Sequence, residues 1–307
     1  MSKKLIFGHK NPDTDTICSS LVMENFGKEN GCDVEAVRLG NINKETKYVL
    51  DYLKIDAPRF IEKIEDGQEV ILVDHNEFSQ SVDNIENAKI HRVIDHHRIK
   101  NFETAEPLYY TAEPVGCTCT ILYGIYTQAG IKITEKIATL MLSAIISDTL
   151  LFKSPTCTKK DVEVAKKLAE IANINVEEYG MNLLKAGTDM SDLTASEMIN
   201  LDAKEFEFGD AKAVVAQVNT ASIEETLKRK DEIKKAMQDV IKEKSLNLFM
   251  LAITDIVDSN SQVIALGDKA SLVEKAYNVK LEDDMAFLKG VVSRKKQMVP
   301  NLTEAAK

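Results

Sequence analysis

The chain lacks several features, and each absence narrows what it can be. No apolar run approaches the roughly 20 residues that a membrane-spanning helix needs. Basic residues are in deficit, with 39 against 49 acidic ones, and the net charge of −10 argues against broad electrostatic binding of nucleic acid or anionic membranes. The five cysteines form no CxxC pair, and MSKKLIFGHK at the start lacks the apolar segment of a signal peptide. These features predict a cytoplasmic, soluble protein with reduced thiols.

One stretch concentrates side chains that bind metal ions. Residues 8–16 (GHKNPDTDT) follow a short apolar run and precede an amphipathic one, so they predict a loop between a β-strand and a helix. Turn formation and helix capping explain either aspartate alone. They explain neither His9 nor the presence of two aspartates, Asp13 and Asp15, separated by one residue. We therefore expect these carboxylates to bind one metal ion or two neighbouring ones.

The same residue types recur after three further apolar runs. Residues 70–73 lead into Asp74 and His75, residues 93–94 lead into Asp95, His96 and His97, and residues 145–146 lead into Ser147 and Asp148. Of the five histidines, only His91 lies elsewhere. Solvated surface charge would scatter these residues, and a structural core would exclude most of them. The repetition predicts a metal site lined by the ends of strands.

The residue types also indicate which metals would bind. Carboxylate and imidazole ligands suit Mn²⁺, Mg²⁺, Co²⁺ or iron better than a structural zinc. The candidate carboxylates are too numerous for one open catalytic ion but suit two ions. Two ions about 3.5–4 Å apart can activate a shared water for in-line attack at phosphorus. Asp74 could bridge such a pair. Cys117 and Cys119 could bind metal as well, but two small residues at a predicted helix start are the favoured interpretation.

The first part of the chain alternates strands with helices. Predicted strands cover residues 5–7, 34–39, 70–73, 92–94 and 108–111, with weak alternation at 60–64, and predicted helices cover 17–26, 45–53, 116–129, 135–147, 158–171 and 176–185. This alternation predicts the α/β class with a mostly parallel sheet flanked by helices. Ligands of such sheets bind beyond the carboxyl ends of the strands, where the histidines and aspartates are expected.

The pattern changes in the second part of the chain. Residues 188–193 are predicted to link the first domain, residues 1–187, to a smaller mixed α+β domain, residues 194–307. The predicted elements there are strands at 203–208, 211–218, 246–256 and 262–266, with a hairpin turn at Gly209, a long helix at 223–243 and a short one at 270–277.

Three cations in a row, Arg294, Lys295 and Lys296, lie near the end of this acidic chain. The two valines before them are expected to be buried, which would place the cations at the end of an element. A phosphate beside two metal ions needs neutralising charge, which arginine supplies bidentately and lysine as a point charge. Lys204 is a weaker candidate for the same task.

Together the segments GHKNPDTDT, VDHNE, IDHH, SDTLLFKSPT, DAKEF and SRKKQ resemble the manganese-dependent (family II) inorganic pyrophosphatases of the DHH phosphoesterase superfamily. The resemblance covers essentially the whole chain. It implies an N-terminal DHH domain, a C-terminal substrate-binding domain and an active site in the cleft between them. It further implies two Mn²⁺ per subunit, for which Co²⁺ or Mg²⁺ could substitute, magnesium pyrophosphate as substrate, and a homodimer joined through the N-terminal domain.

The resemblance also implies a role for each motif residue. The first metal would be held by His9, Asp13 and Asp74, and the second by Asp15, Asp74, His96 and Asp148, with a hydroxide between the metals attacking phosphorus. The substrate would be bound by His97, Lys204, Arg294 and Lys295, His97 being also a candidate proton donor. Asp95 and His75 would orient the metal ligands without binding a metal themselves.

Other functions stay open on the residues alone. Another DHH phosphoesterase, acting on polyphosphate, cyclic dinucleotides or single-stranded nucleic acid, would share the metal motifs. The SRKKQ segment and the lack of an aromatic and basic groove for bases favour pyrophosphate. A regulator that binds nucleotide or metal without catalysis would be favoured by the loss of a ligand position, and none is lost. If the motif residues were only turns and caps, Asp74→Asn would leave the metal content unchanged.

Overall fold

A computed structural model describes residues 3–307, which form two compact units, the first ending at Gly187 and the second beginning at Thr188. The strands of the first unit are β1 (Lys4–Phe7), β2 (Val34–Arg38), β3 (Arg59–Phe60), β4 (Glu69–Val73), β5 (Lys89–Asp95) and β6 (Tyr109–Ala112). They form one sheet in the order β3-β2-β1-β4-β5-β6, and every pairing is parallel. The predicted α/β class is confirmed.

Six helices accompany this sheet in the described part of the chain. They are α1 (Thr14–Glu29), α2 (Lys44–Leu53), α3 (Thr118–Ala129), α4 (Glu135–Asp148), α5 (Lys159–Ala172) and α6 (Val176–Gly187). Both faces of the central strands are buried, since Ile6 and Ile71 pack with α1 and α4 while Phe7 and Leu72 pack on the opposite side. This explains why the strands are nearly continuous apolar runs. No helix among residues 3–307 is long and apolar enough to cross a membrane.

Asp161 joins the start of α5 to the start of α3. It completes the capping box of Thr158, the N-cap of α5. Its carboxylate also accepts hydrogen bonds from the Gly116 amide at 2.9 Å and from the Thr120 hydroxyl at 2.6 Å, and the residue is fully buried. Asp161, about forty positions away in sequence, therefore fixes the N-terminus of α3.

Asp161→Ala should lower the free energy of unfolding by about 4 kcal/mol, because several buried donors lose a charged acceptor together. Urea unfolding of the metal-free protein measures the loss. Glu197→Ala is the matched control, since Glu197 completes an exposed capping box with Thr194, and its loss should be much smaller. Equal losses for the two variants would contradict the prediction.

The second unit contains a five-stranded mixed sheet. Its strands are β7 (Ala203–Phe208), β8 (Ala211–Thr220), β9 (Leu248–Asp255), β10 (Asn260–Leu266) and β11 (Met285–Leu288), in the order β11-β10-β9-β8-β7. Only the β8–β9 pairing is parallel among those described. The helices are α7 (Ala195–Asn200), α8 (Ile223–Leu227), α9 (Lys230–Lys244), α10 (Ser271–Tyr277) and α11 (Val299–Ala305). The mixed α+β class predicted for this part is confirmed.

Two local predictions for the second unit are wrong. The long helix at 223–243 is two helices, because the chain turns before α9 and Arg229 there donates to the Met190 carbonyl at 3.2 Å and pairs with Glu232. Val292 is 37% exposed rather than buried. Its amide donates to the side chain of Gln297 at 2.9 Å, while the neighbouring Val291 packs against the buried core of the second unit.

Candidate metal centre

The predicted metal ligands lie where the sheet reverses its strand order, between β1 and β4, which is the usual position of a ligand site in such sheets. Three of them follow strands and three lie at the ends of helices. They are His9 after β1, Asp74 after β4 and His96 after β5, with Asp13 and Asp15 at the start of α1 and Asp148 at the end of α4. The structure brings them into two groups, His9 with Asp13 and Asp74, and Asp15 with His96 and Asp148, and within each group the ligand atoms lie within 4.8 Å of one another.

Asp74 faces both groups, with a different oxygen toward each. Its Oδ2 lies 3.5 Å from His9 Nε2, and its Oδ1 lies 3.4 Å from His96 Nε2. The hydroxyl of Thr16 donates to Oδ2 at 2.6 Å and that of Thr118 to Oδ1 at 3.2 Å, so each oxygen has a fixed direction. Asp74 also has a φ of 58°, a conformation that is uncommon outside glycine and concentrates at functional sites.

Buried negative charge dominates the centre. Burial, together with the charge of Asp15, raises the pKa of Asp74 to about 7, and burial raises the pKa of Asp148 well above its usual range. Burial opposes protonation of His96, but its hydrogen bond to Asp74 and the nearby carboxylates raise its pKa to about 9. The groups at ion-pair distance from Asp74 are imidazoles, including that of His9. Divalent cations would supply the positive charge that these carboxylates need, so the residues fit a metal centre.

Asp15 is held by the N-terminus of α3. It accepts hydrogen bonds from the backbone amides of Thr118 at 2.6 Å and Cys119 at 3.3 Å, and from the hydroxyl of Ser19 at 2.7 Å. Cys117 is the N-cap residue of α3, and both cysteines are fully buried. Their sulfurs and a carboxylate oxygen of Asp15 also lie within 4.8 Å of one another. The cysteines thus occupy the helix start that the sequence predicted.

His97 is oriented by a carboxylate beneath it. Its Nδ1 lies 2.9 Å from Asp95 Oδ1, and Asp95 is fully buried and accepts a second hydrogen bond, from Asn76, at 2.7 Å. The side chain of His97 is 52% exposed, and Asp95 takes Nδ1, so Nε2 remains for another partner. The hydrogen bond with Asp95 raises the pKa of His97. The arrangement fits a protonated imidazole that donates to an anion.

His75 contacts the backbone of Val73, the residue before the candidate metal ligand Asp74, and not the side chain of a candidate ligand. Its Nδ1 lies 2.9 Å from the Val73 carbonyl and its Nε2 lies 3.0 Å from the Ser81 hydroxyl. Burial lowers its pKa to about 4, so the ring is neutral near pH 7. It therefore stabilises the peptide that leads into Asp74.

The predicted phosphate-binding cations lie in the second unit in different settings. Arg294 begins a single helical turn, and its guanidinium donates to the Asp202 carboxylate at 2.7 Å and to the Asp202 carbonyl. Its side chain is only 11% exposed. Lys295 and Lys204 are exposed. The arginine is thus already held in place by a carboxylate, whereas the lysines extend into solvent.

Sequence reasoning assigned no role to several residues that contact predicted site residues. Among them are Thr16 and Thr118, which fix the oxygens of Asp74, Ser19, which donates to Asp15, and Asn76, which fixes Asp95. Asn76 lies within the VDHNE segment, so its place directly after Asp74 and His75 was an available signal. Thr118 carries no such signal, since it is 44 positions from Asp74.

Comparisons with known proteins agree with this geometry. The chain matches the N-terminal domain of the DHH family over residues 3–145 and the DHHA2 domain over residues 181–305. The manganese-dependent inorganic pyrophosphatase of Bacillus subtilis is 57% identical to it over 306 residues, which is 99% of each chain. A crystal structure from Methanococcus jannaschii, assigned to the family II inorganic pyrophosphatases, is 43% identical, with a TM-score of 0.62 over 98% of both chains.

A more distant structure shares the fold alone. An exopolyphosphatase-related protein from Bacteroides fragilis is 14% identical, with a TM-score of 0.52 over 99% of this chain and 91% of that one. The identity to the Bacillus subtilis enzyme is much higher and extends over the full length of both chains, and it confirms the resemblance seen in the motifs. The chain therefore belongs to the family of manganese-dependent inorganic pyrophosphatases.

Proposed function

We propose that the protein hydrolyses inorganic pyrophosphate to two phosphates with the help of two Mn²⁺ ions. The observation that carries this proposal is the position of Asp74, whose two oxygens face two separate ligand groups. A carboxylate between two such groups suits a pair of ions and not a single one. When bound, the ions would lower the pKa of a shared water and polarise the phosphoryl group.

The proposed ligands follow from the two groups. His9, Asp13 and Asp74 would hold one ion, and Asp15, Asp74, His96 and Asp148 would hold the other. The hydroxyls and amides that already bind Asp74 and Asp15 would keep these carboxylates aimed at the ions before the ions arrive. Such outer contacts usually contribute a factor of about 10–100 in metal affinity.

His97 is the residue that we propose touches the substrate from the first unit. Asp95 accepts a hydrogen bond from the protonated Nδ1 of His97 and stabilises the positively charged form of the imidazole ring. Its Nε2 would then donate to an oxygen between or beside the phosphorus atoms, and could give its proton to the leaving phosphate. Arg294, Lys295 and Lys204 would bind the remaining phosphate oxygens, Arg294 with part of its guanidinium still on Asp202.

Further features of the proposal concern the metal ions, the location of the protein and its oligomeric state. The substrate would be magnesium pyrophosphate, and Co²⁺ or Mg²⁺ could replace Mn²⁺ in the centre. The protein would be cytoplasmic, which its five free cysteines support.

The protein would form a homodimer through the first unit. The edge strand β6, in which Tyr109 is 72% exposed, offers a surface for it. Light scattering that gives only monomers at micromolar concentration would exclude the dimer.

Phosphate release tests the proposed activity. Metal-stripped protein is reconstituted with Mn²⁺ and assayed with Mg²⁺ as the bulk ion on pyrophosphate, tripolyphosphate and a cyclic dinucleotide. We expect fast release from pyrophosphate that depends on Mn²⁺, and little from the other two. Hydrolysis of the longer or cyclic substrate without release from pyrophosphate would contradict the proposal and favour another DHH-type phosphoesterase.

A further inference from the structure

Glu45, a carboxylate with no role so far, connects two helix ends of the metal centre. It lies in the first turn of α2. Its Oε1 accepts hydrogen bonds from the hydroxyl of Thr14 at 2.7 Å and from the hydroxyl of Ser147. These donors are 31 and 102 positions away in sequence. One oxygen atom thus joins the start of α1 to the end of α4.

Both donors are sequence neighbours of proposed metal ligands. Thr14 separates Asp13 from Asp15, and Ser147 directly precedes Asp148. Because both hydroxyls bond to the same oxygen, they stay close to each other. The backbone positions of Asp15 and Asp148 are then fixed relative to one another, although these residues belong to different helices.

The glutamate is itself fixed by its surroundings. Asn43 caps α2 through the amide of Thr46, whose hydroxyl lies 3.3 Å from that of Thr14. Gly187 packs against Glu45, since a Cβ on this glycine would lie 2.9 Å from both the Cβ and Oε2 of the glutamate. Glu45 therefore has little freedom to follow the hydroxyls if they move.

We propose that Glu45 is a positioning residue for the metal site of Asp15, His96 and Asp148, acting through Thr14 and Ser147. The proposal rests on the proposed function, since it assumes the two ligand groups given there. Its effect on the two groups should be unequal. Asp13 and Asp15, on either side of Thr14, each accept a hydrogen bond from a backbone amide, Asp13 from Thr16 at 3.0 Å and Asp15 from Thr118 at 2.6 Å. The loss of Glu45 should therefore act mainly through Ser147 on Asp148, which belongs to one group alone.

Manganese binding to the metal-stripped protein measures this effect, with free Mn²⁺ followed by electron paramagnetic resonance. Glu45→Ala should weaken one of the two bound ions by about 10–100-fold and leave the other unchanged. Glu45→Gln, which keeps an oxygen acceptor, should recover most of the affinity. Asp51→Ala is the matched control, because Asp51 lies on the same helix and pairs with Lys47 on the surface, and both affinities should then match the wild type.

A double-mutant cycle separates positioning from general damage. Ser147→Ala should weaken the same ion, and the combination with Glu45→Ala should cost little more than the larger single loss, because both changes break one connection. Losses that add, equal weakening of both ions, or unchanged affinity in Glu45→Ala would each overturn the proposal. Should Glu45→Ala fail to fold, Ser147→Ala alone decides, since it must then weaken one ion selectively.

Failure of this proposal and failure of the proposed function can be told apart. Wild-type protein that binds two Mn²⁺ but releases no phosphate from pyrophosphate would refute the activity, and the binding cycle would still decide on Glu45. Wild-type protein that binds fewer than two Mn²⁺ would overturn both. In Asp148→Asn, which damages the proposed site directly, adding Glu45→Ala should leave the remaining ion unaffected.

Discussion

Asp74→Asn should remove the binding of a manganese pair and lower the rate of pyrophosphate hydrolysis by at least about 10³-fold, or roughly 4 kcal/mol in the activation barrier. Asparagine offers one oxygen where the two ligand groups need two, and it carries no charge to balance the ions. The metal content after dialysis and the rate of phosphate release measure the two effects. We expect less than one tightly bound Mn²⁺ per chain.

The same variant should fold at least as well as the wild type without metal. Burial raises the pKa of Asp74 to about 7, above its ordinary value of 3.8, so the folded state binds this proton more tightly than the unfolded state. Stability without metal therefore falls as the pH rises from about 4 to 7, and the neutral asparagine avoids that loss. Asp51→Asn, on the exposed face of α2, should change neither metal content nor rate. Full metal content in Asp74→Asn would mean that the motif residues are only turns and caps.

The clustering of the candidate metal ligands could be predicted because their positions follow a rule of topology. Parallel strands end at one edge of a sheet, so His9, Asp74 and His96 had to come together once the strands were located. Asp148 does not follow from this rule, because it ends a helix and not a strand; only its place directly after an apolar run indicated it. The regular features of the sequence, apolar periodicity and the residues that interrupt it, thus determine both the fold class and the position of the site.

The supporting contacts could not be predicted, because they depend on long-range packing. Glu45 looks like an ordinary acidic residue in the first turn of a helix, and its bonds to Thr14 and Ser147 form only when three helices meet. The break before α9 has the same origin, since Arg229 contacts the distant Met190 and overrides a helical pattern that the local sequence supports. Val292 differs, because its amide donates a hydrogen bond to the side chain of Gln297, which is only five positions later.

Arg294→Ala should lower kcat/KM for pyrophosphate by about 10²–10⁴-fold. Two charge-assisted hydrogen bonds to phosphate, each contributing about 1.5–3 kcal/mol, would be lost. Arg294→Lys should recover part of the loss, because lysine keeps the charge but not the bidentate geometry. Steady-state kinetics at saturating Mn²⁺ measure both variants, with the melting temperature as a second observable.

The ion pair with Asp202 allows the substrate role of Arg294 to be separated from a structural one. Asp202 is 54% exposed while the side chain of Arg294 is 11% exposed, and the guanidinium keeps the Asp202 carbonyl as a partner in Asp202→Ala. Loss of the carboxylate should therefore cost the fold about 1–2 kcal/mol. Asp202→Ala breaks the same pair while leaving the guanidinium in place. If the arginine binds phosphate, this variant should keep or improve the apparent affinity for pyrophosphate, because a competing carboxylate is gone, while Arg294→Ala loses activity. If Arg294 only holds the segment after β11 in place, both variants should lower the melting temperature and lose activity, Arg294→Ala more strongly because it also loses the hydrogen bond to the Asp202 carbonyl. Opposite kinetic effects of two changes that break one ion pair are therefore the result that assigns Arg294 to the substrate.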